Sequence, residues 1–149
     1  MTITAERPVT EPSVEDLAGV FNDVNSAVGA ARRAFVAFSE CSLAQRRAFV
    51  DAVREAATQQ DRLEYMASAA VQETRMGNAH HKVLKNRYAA TRTPGVEDLV
   101  MEAHQGDDGL TTLEYSPYGV IGAITPTTNP TETIICNTIG MLSAGNTVV

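Results

Sequence analysis

The sequence contains no tryptophan and only two cysteines, and aromatic residues make up just 5% of the chain. Small secreted domains usually depend on a dense set of disulfides, which two distant cysteines, Cys41 and Cys136, do not provide. We therefore expect free thiols packed within helical structure, as cytosolic proteins usually have.

The chain also lacks a run rich in Lys and Arg, and its net charge is −6. A nucleic-acid partner is not expected, because phosphate recognition requires concentrated positive charge. No apolar stretch reaches the length of a membrane span, and residues 1–14 do not have the basic start and apolar block of a secretory signal. We expect a cytoplasmic location and no membrane partner.

Several common site motifs are missing. There is neither a GxGxxG turn nor a Gly-Lys-Ser/Thr phosphate loop. His80 and His81 are adjacent and would point to different sides of a helix, and Asp107-Asp108 lacks the ligand spacing of a calcium loop. The sequence therefore predicts no metal site.

The first two thirds of the chain show helical periodicity. Residues 1–12 are polar, include two prolines and predict a flexible lead-in. Apolar residues spaced three and four apart then predict helices over residues 13–104, with a potential break at residues 22–25. The row of apolar residues starts at Ser13 and starts again at Ser42. A third helix is predicted over about residues 61–76, ended by Gly77-Asn78, and a fourth from Ala79 to Tyr88 or beyond.

The pattern changes near residue 110. Residues 105–109, QGDDG, predict a tight turn, followed by strands at 110–115 and 119–125. Within the second strand, residues 120–124 form an apolar, β-branched run that suits burial on both faces of a parallel sheet.

Two prolines then interrupt regular structure before a helix over residues 131–144. Asn129 suits the N-cap, Pro130 the first helical position, and Glu132 the third position of a capping box. Gly145 ends this helix and residues 146–149 begin another strand. We predict an α/β fold with a strand–turn–helix–strand unit at 110–149, whose strand-to-helix loop is either an ordinary connection or a ligand-binding loop.

Residues 114–126 and 144–149 resemble the aldehyde dehydrogenase superfamily. Most members carry Pro-Trp-Asn-Phe-Pro where this chain has Pro126-Thr127-Thr128-Asn129-Pro130. The latter is similar to the CoA-acylating branch, in particular the propionaldehyde and acetaldehyde dehydrogenases of bacterial microcompartments. Segments that are also similar to that branch are residues 73–78, 82–86 and 93–99.

The resemblance implies N-terminal helices followed by the start of a Rossmann-like NAD-binding domain, left incomplete at residue 149, with the catalytic domain absent. It implies that a small aldehyde, NAD and coenzyme A as co-substrate react through a cysteine that lies beyond residue 149. Neither Cys41 nor Cys136 matches that cysteine. We expect an N-terminal fragment that is inactive alone and belongs to a homo-oligomeric enzyme when full length.

The same resemblance assigns roles to the loop. Ile124, Thr125, Pro126 and Thr127 fall where the family lines the nicotinamide and its ribose. Asn129 is favoured as the oxyanion donor because an amide NH2 is the commoner side-chain donor, and Thr128, which aligns with the family's asparagine, is the alternative.

Other readings remain open. The chain could be a non-catalytic interaction module of a microcompartment, or part of a non-acylating aldehyde dehydrogenase. The first apolar helix face could cover its own domain or bind a microcompartment shell protein, which would place the enzyme inside that compartment.

Overall fold

The computed structural model describes residues 19–149, so the predicted lead-in and the helix start at Ser13 lie outside the described residues. No helix in this part of the chain is both long and apolar enough to cross a membrane. Helices precede two small sheets, as predicted for an α/β chain. The elements are α1 Val24–Ser39, α2 Leu43–Thr58, α3 Gln60–Thr74, α4 Ala79–Arg92, β1 Glu102–Gly106, β2 Gly109–Leu113, β3 Val120–Ile121, α5 Pro130–Ser143 and β4 Thr147–Val148.

The first two helices begin at side-chain caps. The Asp23 carboxylate accepts the backbone N–H of Ser26 at 2.9 Å, so α1 begins at Val24, within the break anticipated at residues 22–25. Helix α2 begins directly after Ser42, where the apolar pattern is predicted to start again, and Ser42 and Gln45 form a reciprocal capping box there.

The end of α3 lies slightly earlier than predicted. Arg75 adopts a left-handed conformation with φ 57° and ends the helix after Thr74. The side-chain oxygen of Asn78 then accepts the backbone N–H of His81 at 2.9 Å and starts α4. This helix extends beyond Tyr88 to Arg92.

The prediction of helix up to residue 104 is wrong. Strand β1 occupies Glu102–Gly106 and pairs antiparallel with β2, Gly109–Leu113, around the predicted turn at Asp107-Asp108. Every residue of both strands is exposed, so no alternation of buried and exposed positions marks them. The hairpin is defined by backbone hydrogen bonds between the two strands. The pattern of apolar residues in the sequence does not reveal such bonds.

Strands β3 and β4 are parallel and are joined by α5, which confirms the predicted strand–helix–strand unit. Strand β3 is shorter than the predicted 119–125. The ladder nevertheless continues one step further, because the backbone N–H of Ala123 donates to the carbonyl of Val149 at 2.7 Å. Ile124 lies past this ladder.

The core forms where α5 crosses α2 and α4. Its buried members are Val50, Ala57, Ala89, Ala90, Val96, Ile135 and Ile139. Alanines on α2 and α4 let α5 approach closely, and Ile139 fills the space between them with no exposed surface. This packing fixes the position of α5 relative to α2 and α4. The N-terminus of α5 and the loop before it therefore lie against α4.

Candidate functional site

The loop between β3 and α5 lies at the carboxyl end of a parallel strand and at the N-terminus of a helix, where open α/β sheets bind ligands. Ile124 is 96% exposed, so the prediction that it is buried within the strand is wrong. Thr125, Pro126 and Thr127 are also exposed. The consecutive residues predicted to contact a cofactor therefore form one accessible segment.

Asn129 occupies the N-cap position of α5, and Pro130 is the first helical residue, as predicted. The predicted capping box with Glu132 is wrong, because the Asn129 side chain makes no capping hydrogen bond. Its oxygen Oδ1 instead accepts a hydrogen bond from the Lys85 ammonium on α4. A charged donor makes the stronger hydrogen bond, which explains why the side chain turns away from the helix backbone.

Glu132 is buried and pairs with the same lysine. Its Oε1 lies 2.5 Å from Lys85 Nζ, and the Thr131 hydroxyl lies 3.1 Å from its Oε2. Burial raises the pKa of Glu132, but the Lys85 ammonium, the Glu132 backbone N–H and the Thr131 hydroxyl together outweigh burial, and the pKa lies below its usual value. Glu132 is therefore a carboxylate at neutral pH and a poor acceptor for a catalytic proton.

Two further α4 side chains hold the loop. Buried Lys82 donates from Nζ to the backbone carbonyl of Thr128 at 3.0 Å, and buried Asn86 accepts from the Thr131 hydroxyl at 2.8 Å. Lys82, Lys85 and Asn86 share one helix face through their i, i+3 and i+4 spacing. From the sequence, residues 82–86 stood out only through their similarity to the CoA-acylating branch. Their polar residues at i, i+3 and i+4 could have indicated a helix face that binds the loop.

An open groove of about 600 Å³ runs between α4 and α5, beside this cluster. Its walls are mainly apolar, and Lys85, Glu132 and Cys136 are among the residues that line it. Cys136 is partly buried and accepts the Thr93 hydroxyl at 3.1 Å from Sγ. Cys41 is also partly buried and free, at the connection of α1 and α2, so the expectation of free thiols in helical packing agrees with both positions.

The aldehyde dehydrogenase family matches residues 2–149. The chain is 48% identical over 130 residues to a propanal dehydrogenase (CoA-propanoylating) of Citrobacter freundii, covering 87% of this chain and 28% of that protein. It is 45% identical over 148 residues to the enzyme of the same name from Salmonella typhimurium, covering 99% of this chain and 31% of that protein.

Solved structures agree with the sequence matches. A propionaldehyde dehydrogenase of Rhodopseudomonas palustris with bound propionyl-CoA superposes with a TM-score of 0.85 at 53% identity, covering 96% of this chain and 32% of that one. An engineered glycolyl-CoA reductase with bound NADP+ gives 0.83 at 56% identity, over 86% and 29%. A propionaldehyde dehydrogenase from the fucose utilisation microcompartment of Clostridium phytofermentans gives 0.81 at 52% identity, over 87% and 30%.

The chain spans less than a third of the length of each of these relatives. The Citrobacter and Salmonella relatives are CoA-propanoylating enzymes, and the Rhodopseudomonas structure holds propionyl-CoA, in agreement with the loop Pro126–Pro130. The chain belongs to the aldehyde dehydrogenase family.

Proposed function

We propose that the protein is an NAD(P)-dependent, CoA-acylating aldehyde dehydrogenase, to which this chain contributes the N-terminal part. The reaction converts an aldehyde, CoA and NAD+ into acyl-CoA and NADH, with a proton released. The observation that carries the proposal is the accessible β3–α5 loop at the ligand edge of the sheet. Relatives with the same local fold are solved with bound propionyl-CoA and with bound NADP+.

The exposed face of the loop suits a nicotinamide nucleotide. Ile124 offers an exposed apolar side chain, and the neighbouring Thr125 and Thr127 hydroxyls can donate to and accept from a ribose. These residues and Pro126 would hold the nicotinamide end, and NAD+ supplies a hydride acceptor when bound. The residues present therefore fit the cofactor that the family uses.

The oxyanion of the reacting aldehyde needs a fixed donor. In our proposal Asn129 provides it, since its amide oxygen is already bound by Lys85 and its NH2 group remains available. Thr128, whose carbonyl is held by Lys82 while its side chain is exposed, is the alternative. Neither Cys41 nor Cys136 lies on the loop, and in our proposal the nucleophile is the cysteine that the family resemblance places in another part of the enzyme.

The test uses the complete gene product. NADH formation is followed at 340 nm with propionaldehyde, with and without CoA, for the wild type, Asn129→Ala and Thr128→Val. We expect CoA-dependent turnover that Asn129→Ala lowers about 100-fold, as removal of an oxyanion donor typically does. Equal turnover without CoA would indicate a non-acylating dehydrogenase, and a larger loss for Thr128→Val would assign the donor to Thr128.

We also propose that the enzyme is a cytoplasmic homo-oligomer enclosed in a bacterial microcompartment. The support is the relative from a fucose utilisation microcompartment. Fractionation of native cells, followed by immunoblotting, tests this location. Recovery of the enzyme outside purified compartments would contradict it, and pull-down of a shell protein by residues 1–40 would identify the binding segment.

A further inference from the structure

The Lys85 ammonium contacts both the amide oxygen of Asn129 and the carboxylate of Glu132. It projects from α4, and its side chain is 48% exposed. Its ammonium thus joins three separate pieces of backbone: the middle of α4, the last residue of the loop and the first turn of α5.

This contact fixes which way the Asn129 amide faces. A lysine ammonium has three donors and no acceptor, so the amide must present its oxygen to Lys85. The NH2 group is then directed away from Lys85, and among residues 19–149 it has no hydrogen-bond partner. Rotation of the amide by half a turn would bring NH2 against a cation, which is unfavourable.

Neighbouring contacts keep this arrangement in place. Glu132 holds the ammonium from the helix side at 2.5 Å, and Lys82 holds the loop backbone through Thr128. Asn86 fixes the first turn of α5 through Thr131. The amide is therefore oriented before any ligand arrives, which is the condition under which a donor contributes most to a reaction.

We propose that Lys85 is the positioning residue for the Asn129 amide, and that it keeps the NH2 group ready to bind the oxyanion of the aldehyde. The inference rests on the proposed function and extends it, because it assigns a role to a residue on a different helix from the loop. Lys85 acts through Asn129 and does not itself touch the reacting carbonyl.

A double-mutant cycle in the complete enzyme tests this inference. The variants are Lys85→Met, Asn129→Ala, the double variant and Lys85→Arg, with Lys82→Met as the control for a lysine that holds the loop backbone. We expect Lys85→Met to lower kcat about 10- to 100-fold, no more than the lower limit for a lost oxyanion donor, because the donor is misoriented and not removed. The double variant should be no slower than Asn129→Ala, because the two residues act as a unit.

Three measurements separate positioning from a general structural role. The dissociation constant for NAD+, from protein fluorescence titration, should change less than about twofold in Lys85→Met, since the cofactor residues are elsewhere on the loop. Lys85→Arg should recover most of kcat, because a guanidinium also donates to the amide oxygen. Lys82→Met should instead weaken NAD+ binding, since it releases the loop backbone.

The outcomes distinguish the inference from the proposed function. A wild-type protein that forms no NADH from aldehyde would overturn both, and turnover that does not depend on CoA would overturn the proposed function alone. An active wild type in which the Lys85→Met and Asn129→Ala losses multiply in the double variant would overturn the inference alone. If Lys85→Met does not fold, Lys85→Gln takes its place in the cycle, with the same criterion of multiplied against shared losses.

Discussion

The side-chain oxygen of Asn146 accepts the backbone N–H of Gly119 at 3.0 Å, and so connects the turn before β4 to the start of β3. The same oxygen accepts the backbone N–H of Tyr118 at 2.6 Å. Asn146 is buried, and it fixes the two parallel strands where their ladder begins. Because this contact fixes the start of β3, it also helps to set where the loop after β3 lies.

Asn146→Ala should therefore destabilise the protein without direct loss of a ligand contact. It leaves two backbone donors unpaired, one of them buried, and each such loss costs about 1–3 kcal/mol. Urea unfolding of the complete protein measures the change. The exposed Asn22→Ala serves as control and should have an effect within about 0.5 kcal/mol. Equal effects of the two substitutions would contradict the role of Asn146.

The core contact of α5 gives a second prediction. Ile139 is fully buried between α2 and α4, whereas Ile134 on the same helix is largely exposed. Ile139→Ala should lower the free energy of unfolding by about 2–5 kcal/mol, because it leaves a cavity. Ile134→Ala is the matched control and should cost far less. If the control cost as much as Ile139→Ala, the packing described for α5 would be wrong.

Glu132 should make stability depend on pH. Burial raises the pKa of Glu132, but the Lys85 ammonium, the Glu132 backbone N–H and the Thr131 hydroxyl together lower it by more, so the folded value is below the unfolded one. A group of this kind stabilises the fold above its unfolded pKa, about 4.3, and the contribution is lost as pH falls through the folded pKa.

The matching experiment follows thermal unfolding from pH 7 to pH 3. The wild type should lose more stability than Glu132→Gln on acidification below about pH 4.5, where the unfolded carboxylate begins to bind protons. Glu55→Gln, at an exposed position of α2, serves as control and should follow the wild type. Parallel curves for the wild type and Glu132→Gln would show that the Lys85 pair contributes nothing.

The hydroxyls of the loop should affect cofactor affinity. Replacement of Thr125 or Thr127 by valine removes a group that we assign to the ribose, and the dissociation constant for NAD+ should rise about 2- to 13-fold, the equivalent of one hydrogen bond. Fluorescence titration of the complete enzyme measures the change. Thr111→Val, on the exposed strand β2, should leave the affinity unchanged.

Residues 1–149 alone should form no NADH from aldehyde and CoA, because neither Cys41 nor Cys136 matches the family nucleophile. The complete gene product, assayed at equal molar concentration, is the control. CoA-dependent turnover by the isolated residues would show that one of these two thiols is reactive, and substitution of each cysteine by serine would identify it.

Features encoded by neighbouring residues were predictable. The helix start at Ser42, Pro130 at the start of α5 and the parallel β3–β4 pair follow from local patterns, and the structure confirms them. The Asn129–Glu132 capping box failed for the opposite reason. Lys85, 44 residues before Asn129, competes for the same side chains, and no local pattern reveals a partner so distant. Strand β1 was missed because both of its faces are exposed.

A single face of α4 holds the loop and the first turn of α5, and this restricts insertions and deletions in α4. Each residue of an α-helix turns the next by about 100°, so one insertion or deletion between Asn78 and Lys82 would rotate Lys82, Lys85 and Asn86 away from the loop together. Exposed positions of α4 can exchange side chains freely, but the number of residues between its cap and Lys82 cannot change. Among related sequences, α4 should therefore tolerate substitution while conserving its length up to this point.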